Sequence, residues 1–239
     1  MGSPLVNIIT ACTRPENLAK MLPEIENALD VWNIVWWIVY DAQVIHQTQV
    51  ATLGKPYVQE IFHGHPTSVS GKAQLNFALD RITSGFVYVL DDDNTLHPAL
   101  KNLPLTAGGY IFQQQLEGGA VRDIDIRPSK IDQAQFLLSM DIIGDLRYDL
   151  CYDADGKFIS QIYNQHADML QVVHEPLCYY NHLLQGSEMG QGNMHFDSQQ
   201  GEWQSTSQSL VSLAEMSHDA QLAQVLRIVQ NQTGEHFRI

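Results

Sequence analysis

Phe86-Val-Tyr-Val-Leu90-Asp91-Asp92-Asp93-Asn94-Thr95 sets five apolar residues directly before three adjacent carboxylates. An unbroken run of β-branched and aromatic residues reads as a strand covered on both faces, the habit of parallel sheets packed between helices. In open α/β sheets ligands sit beyond the carboxyl ends of the strands, which is where the acidic triplet falls. Neighbouring carboxylates repel one another unless some face solvent or a divalent cation neutralises them. A solvated turn is the plain reading of an Asp triplet. Its place at the end of the most apolar strand favours a binding site.

The pattern extends upstream of this stretch. Leu5-Val-Asn-Ile-Ile-Thr10 is a short apolar run closed by a polar turn, and residues 15–29 then repeat Leu18, Met21, Leu22, Ile25, Ala28 and Leu29 at helical spacing. Residues 34–40 read as a second strand and 57–62 as a weaker third, while 71–82, with Leu75, Ala78, Leu79 and Ile82, read as a helix. Downstream the pattern loosens. Strands are expected at 109–114 and 134–140, a helix at 156–166, and two short strands around Pro176 within 169–180. Residues 184–203, rich in Gly, Gln and Ser, are expected to form a mobile loop, and 209–229 an amphipathic helix. With no internal repeat and no clear linker, the expectation is one α/β domain over residues 1–239 with a mostly parallel, Rossmann-like central sheet.

Composition narrows the partners. The chain has 239 residues, 44 % of them hydrophobic, enough for a substantial core. Thirteen Lys and Arg against 27 Asp and Glu give a formal charge of −14, which disfavours nucleic acid and anionic membrane surfaces as general partners. A metal ion or a few local cations can still reverse the field inside one cleft. Cys12, Cys151 and Cys178 have neither disulfide-framework nor zinc-ligand spacing. No basic region precedes a long apolar stretch, and no run reaches the roughly 18 apolar residues of a membrane span, so a cytoplasmic chain is expected.

Three chemistries could use the acidic triplet. An EF-hand calcium loop counted from Asp91 fails, because its sixth position is Leu96 and its twelfth Asn102, where Gly and Glu are required. A haloacid-dehalogenase-like phosphohydrolase with Asp91 as nucleophile fits Asp91 to Thr95 as an Asp-x-Asp-x-Thr loop, and Gly144-Asp145 with Asp149 resembles its later magnesium motif. Against it, that nucleophile strand usually opens its domain, whereas here a full strand-helix alternation comes first.

The third is a GT-A glycosyltransferase, whose Asp-x-Asp motif binds a divalent cation holding the diphosphate of a nucleotide sugar. The chain resembles the β-1,3-glucuronosyltransferase branch and its small microbial relatives. The matches are Ile9-Thr10 to Arg14-Pro15, Trp37-Ile38-Val39-Tyr40-Asp41-Ala42, Gln74 with Asn76-Phe77-Ala78-Leu79, and the run Phe86 to Thr95, in family order. Ile131-Asp132-Gln133-Ala134-Gln135-Phe136 resembles, more weakly, the strand entering the acceptor side.

The resemblance implies a nucleotide-binding half over 1–97, an acceptor-side half over 98–208 and a C-terminal helix over 209–239. It places Thr10, Arg14, Asp41, Lys72, Asn76, Asp91 and Asp92 at the nucleotide, with Asp41 accepting hydrogen bonds from a uracil edge. Asp93 is the expected direct ligand of Mn²⁺ or Mg²⁺. A metal-binding His near the end of the fold is sought among His174 and His182, with His182 preferred. Where the family commonly carries Arg, this chain has Leu75; Lys72 either compensates or is merely solvated. Asp155 is the expected catalytic base, taking a proton from the acceptor hydroxyl, with Asp153 in reserve and a helix N-cap as the structural alternative. The 184–203 loop suits a lid that excludes water from the donor. The expected activity is a metal-dependent, inverting transfer from a nucleoside-diphosphate sugar, UDP-sugar favoured, to a glycan or other hydroxyl acceptor. The alternatives are the phosphohydrolase and a nucleotide- or glycan-binding module without turnover. The sequence leaves oligomeric state open.

Overall fold

The computed structural model describes residues 2–41, 53–63, 71–184, 194–197 and 202–205. The chain divides into two compact units, Met1–Leu184 and Gln185–Ile239. The first unit is built on β1 (Leu5–Cys12), α1 (Leu18–Ala28), β2 (Asn33–Tyr40), β3 (Val58–Phe62), α2 (Lys72–Leu79) and β4 (Phe86–Val89). Its second half adds β5 (Gly109–Gln115), β6 (Val121–Arg122), β7 (Phe136–Ser139), α3 (Met140–Ile143), α4 (Ala154–His166) and β8 (Leu170–Tyr179).

These strands form one eight-stranded sheet in the order β3-β2-β1-β4-β7-β5-β6, with β8 pairing β5. β3, β2, β1 and β4 run parallel. β7 is antiparallel to both β4 and β5, β6 is antiparallel to β5, and β8 is parallel to it, so parallel pairings predominate. The order fixes the site. The chain steps outward from β1 to β2 and β3, then returns to lay β4 on the opposite side of β1. A crevice opens at such a switch in direction, beyond the carboxyl ends of the two central strands.

Side-chain alternation along the strands sends residues into two apolar layers. Ile8, Trp36, Ile38 and Tyr88 face the layer capped by Leu18, Met21, Ile25 and Ala28 of α1. Ile9, Val39, Val87 and Val89 face the opposite layer, filled by Leu75, Ala78 and Leu79 of α2 and by Phe158, Ile159 and Ile162 of α4. The polar side chain of Asn7 is buried between strands, where its Nδ2 donates to the carbonyls of Ser84 (3.0 Å) and Phe86 (3.2 Å) and its Oδ1 accepts from the Trp37 indole (3.2 Å).

The first-half elements fall where the apolar periodicity places them, and three later ones differ. Within the expected 134–140 strand, Gln133–Gln135 form a 3-10 turn and only Phe136–Ser139 are extended, after which Met140–Ile143 turn helical. Residues 170–179 form one strand rather than two. The register against β5 shifts between Phe112 and Gln114, opposite Pro176, so a bulge absorbs the proline that lacks a donor for the ladder. α4 begins at Ala154, which places Asp155 inside its first turn and gives the N-cap position to Asp153.

The second unit, described by itself, contributes the antiparallel pair β9 (Met194–Asp197) and β10 (Glu202–Ser205). Two four-residue strands therefore occupy part of the expected 184–203 loop; runs this short carry too little alternation to stand out from their Gln-rich surroundings. The expected helix at 209–229 lies outside the described residues. No helix among the described residues is long and apolar enough to cross a membrane.

Candidate functional site

The β1 and β4 ends meet at Asp92. This residue is 3 % exposed, and its carboxylate accepts from the Thr13 main-chain N–H (2.6 Å), the Thr13 hydroxyl (3.0 Å), the Arg14 main-chain N–H (2.7 Å) and the Arg14 guanidinium (2.6 Å). Buried Asn17 donates from Nδ2 to the Asp92 carbonyl at 2.9 Å. The acidic turn is thereby locked to the loop after β1, and Arg14 is held over the crevice with its side chain 37 % exposed. The same guanidinium reaches the Asp93 carboxylate at 3.3 Å.

Asp91 faces the other side of the crevice. Gln133 donates from Nε2 to Asp91 at 2.5 Å, and its Oε1 accepts from the Lys72 ammonium at 2.7 Å. Lys72, 1 % exposed at the start of α2, also pairs with Asp155 in the first turn of α4. The 3-10 turn that presents Gln133 is fixed by a capping box, in which Asp132 accepts from the Ala134 N–H and the Gln135 side chain accepts from the Asp132 N–H. Two glycines set these positions. Gly71, at φ +72°, precedes Lys72 where an added Cβ would lie 2.5 Å from the Ala11 Cβ, and Gly156 lets α4 press against Arg127 and Pro128.

The electrostatics are one-sided. Asp91, Asp92, Asp93, Asp132 and Asp155 converge on Arg14 and Lys72, leaving carboxylates in excess. Burial, reinforced by Asp132 and Asp93, drives the Asp91 carboxyl well above the ordinary carboxylate range. Burial likewise pushes Asp93 up to about 6, against the pull of Arg14 and with Asp92 and Asp132 adding to the rise. For Asp155, burial raises the carboxyl and Lys72 opposes it.

Among the described residues no group of three or more His, Cys, Asp or Glu is gathered to enclose a metal ion. An ion of the Mg²⁺ or Mn²⁺ type does not need one, because such ions are held through one or two carboxylates while substrate phosphates and water complete the shell. The hard oxygens of Asp91 and Asp93, crowded by like charge, are the donor chemistry such an ion takes. The segment carrying His182 docks on this turn. Asn94 joins the two, its Nδ2 donating to Asp93 (2.9 Å) and its Oδ1 accepting from the His182 N–H (3.0 Å), while the Leu183 N–H donates to the Asp93 carbonyl (2.7 Å). The His182 ring stacks on Tyr179 with centroids 4.2 Å apart, and Tyr179 in turn meets His97 at 4.7 Å. His174 stands exposed on β8.

Two expected nucleotide contacts are turned away from the crevice. Thr10 is fully buried, its hydroxyl donating to the Leu90 carbonyl (2.8 Å) and accepting from the Trp36 indole (3.0 Å), because alternation points it into the sheet layer. Asn76 clamps the main chain of Tyr148 with both ends of its amide, at 2.8 Å each. Leu75 is core, and Lys72 is buried beneath the site rather than solvated. Asp41 stands just past β2, its N–H on the Cys12 carbonyl at 3.0 Å. Gln133 and Thr13 were not singled out from the sequence. The Asp132 to Gln135 capping-box spacing was the available signal for the turn that carries the first, and an ordinary turn residue gave none for the second.

Several solved structures share this architecture. S. aureus TarS (residues 1–349), crystallised with UDP-GlcNAc, superposes with a TM-score of 0.57 at 12 % identity over 80 % of this chain and 61 % of that one. The chain has the GT-A fold. The same TarS fragment with UDP gives a TM-score of 0.53 at 13 % identity over 74 % of this chain and 60 % of its own. Glucosyl-3-phosphoglycerate synthase from Mycobacterium tuberculosis, in complex with Mn²⁺, UDP and glucosyl-3-phosphoglycerate, gives 0.52 at 12 % over 74 % of this chain and 71 % of its own. The chain thus spans about three-fifths of the TarS fragment's length. No protein-family profile matches the sequence, and no curated protein matches it. Within the GT-A fold the acidic strand is the fourth, after a complete strand-helix alternation, and the residues expected for a phosphohydrolase magnesium motif, Asp145 and Asp149, are exposed.

Proposed function

We propose that the chain is a metal-dependent glycosyltransferase that moves a sugar from a nucleoside-diphosphate sugar, UDP-sugar favoured, to a hydroxyl acceptor, with inversion. The observation that carries this reading is the carboxylate excess of Asp91 and Asp93 beside Arg14, at the switch point of a GT-A sheet. The UDP-sugar, UDP and Mn²⁺ complexes of the similar structures support it.

In this reading Asp93 holds Mn²⁺ or Mg²⁺, with His182 as a second donor from the segment docked on Asn94. The bound ion supplies positive charge to the leaving diphosphate. Arg14 adds a cation to the same oxygens, and Asp92 serves by keeping Arg14 aimed rather than by touching the nucleotide. Asp41 accepts from the uracil edge and Asp91 faces the ribose. Asp155 takes the acceptor hydroxyl's proton as the acceptor oxygen bonds to the sugar C1 and the C1–O bond to the diphosphate breaks, its electron pair leaving with the phosphate. Stabilisation of the folded protein that requires UDP and Mn²⁺ together, and that Asp93→Ala abolishes, is the expected thermal-shift result. Metal-dependent hydrolysis of a simple phosphate ester with no effect of nucleotide overturns the reading. Equal background donor hydrolysis by the native chain, Asp93→Ala and Asp155→Ala leaves only a binding module.

A further inference from the structure

Lys72 is a fully buried ammonium, and a charge in that position is costly unless it is paired and hydrogen-bonded. Its partners are Asp155 and the Oε1 of Gln133. Gln133 uses the opposite end of its amide on Asp91, and its main-chain amide also faces Asp155. One buried glutamine therefore joins, through a single ammonium, the carboxylate on the nucleotide side to the carboxylate on the acceptor side. The links bridge sequence separations of 42, 61 and 83 residues and tie β4, the 3-10 turn, α2 and α4 together.

We propose that Lys72 and Gln133 are positioning residues of the transfer reaction: Gln133 fixes the Lys72 ammonium between Asp91 and Asp155, and the ammonium aims the Asp155 carboxylate at the acceptor. The proposal rests on the assignment of Asp155 as the base. Its physical content is local. Asp155 is faced by Lys72 from α2, by Asp132 from the turn before β7, by Asp91 from the end of β4, and by Tyr148 and Tyr152 from its own side of α4. Lys72 is the cation of that set, so removing it leaves Asp155 among like charges and favours its protonated, non-basic form. A buried amide with both ends engaged has one satisfactory orientation, which gives the ammonium one position.

The test compares the full chain with Lys72→Met, which keeps most of the unbranched apolar stem and removes the charge, and Gln133→Leu. Selective ¹³C labelling of Asp carboxyls, with Asp155→Asn to assign the resonance, reads the titration of Asp155 directly and needs no donor. Lys72→Met is expected to move that titration upward by roughly one to three pH units, and Gln133→Leu by less, in the same direction. An unchanged Asp155 titration in folded Lys72→Met overturns the proposal. With UDP-hexoses and Mn²⁺, UDP release by Lys72→Met is expected to lose at least tenfold in kcat, with the acid limb displaced upward and UDP affinity within about threefold of native. A matching loss of UDP affinity with an unmoved acid limb overturns it equally, because that is the signature of structural damage. Absence of turnover by the native chain on every UDP-hexose counts against the proposed function alone, and the carboxyl titration then decides this inference.

Discussion

Asp92 shows how one carboxylate organises the turns beside the crevice. Three of its four acceptor contacts come from main-chain or hydroxyl donors of Thr13 and Arg14, and only one from the exposed guanidinium. Deleting the carboxylate removes the acceptor of two main-chain N–H groups in a partly buried set of hydrogen bonds, whereas deleting the guanidinium leaves Asp92 three donors. Asp92→Ala is therefore expected to cost about 2–4 kcal/mol and Arg14→Ala about 1 kcal/mol or less. Urea denaturation of the two variants measures the difference, and equal losses would assign the stabilisation to the ion pair instead. The same logic explains why residue identity was an uneven guide. Asp93 and Arg14 could be expected near one another because their charge has few structural uses at a strand end, and the structure brings them to 3.3 Å. Thr10 was harder to read, because a hydroxyl near a crevice serves a buried indole, as it does here, as well as it serves a ligand.

Among elements, β1, α1, β2, α2 and β4 were legible because strands buried on both faces leave unbroken apolar runs and the helices between them repeat at 3.6 residues. The acceptor-side half was less so, because its positions are set by long-range pairing. The apolar run before Met140 hid the 3-10 turn, whose Asp132 and Gln135 carried a capping-box spacing. The bulge opposite Pro176 let one strand continue where a proline suggested two. α2 illustrates how an element's placement becomes function. Its entry residue, Gly71, combines a left-handed φ of +72° with a Cβ position 2.5 Å from Ala11, so no side chain fits without moving α2 away from β1. Gly71→Ala is expected to lose at least about 2 kcal/mol, from left-handed strain plus the clash. Lys72, the next residue, would shift with the helix. A melting temperature lowered by several degrees in a circular-dichroism scan checks the first consequence, and a native value would mean the turn relaxes freely.

At the scale of the molecule, part of the charge of −14 is gathered in carboxylates crowded at the switch point of the sheet. Asp93 titrates at about 6 in the folded protein because burial disfavours its charged form, against an ordinary value of 3.8. A carboxyl raised by folding stabilises the native state while it keeps its proton. That contribution is full below about pH 4 and is lost as pH rises through 6, and Asp91, raised for the same reason, adds to the loss at higher pH. Exposed carboxyls lowered by their partners, such as Asp125 beside Arg127, act in the opposite direction and below pH 4, outside this window. Without metal, melting temperature is therefore expected to fall between pH 4 and 7, and Asp93→Asn to flatten that fall. A divalent cation takes the place of the proton, since only the ionised carboxylates bind it. In the presence of UDP, the stabilisation by Mn²⁺ should accordingly grow as pH rises from 5 to 7, reaching about 2.7 kcal/mol when free Mn²⁺ is 100 times its Kd. Differential scanning calorimetry across that range, on the protein alone and on the protein with UDP in the presence and absence of Mn²⁺, checks both slopes. A Mn²⁺ effect independent of pH, or one that Asp93→Asn retains in full, would place the metal away from the acidic turn and leave its carboxylate excess without a ligand.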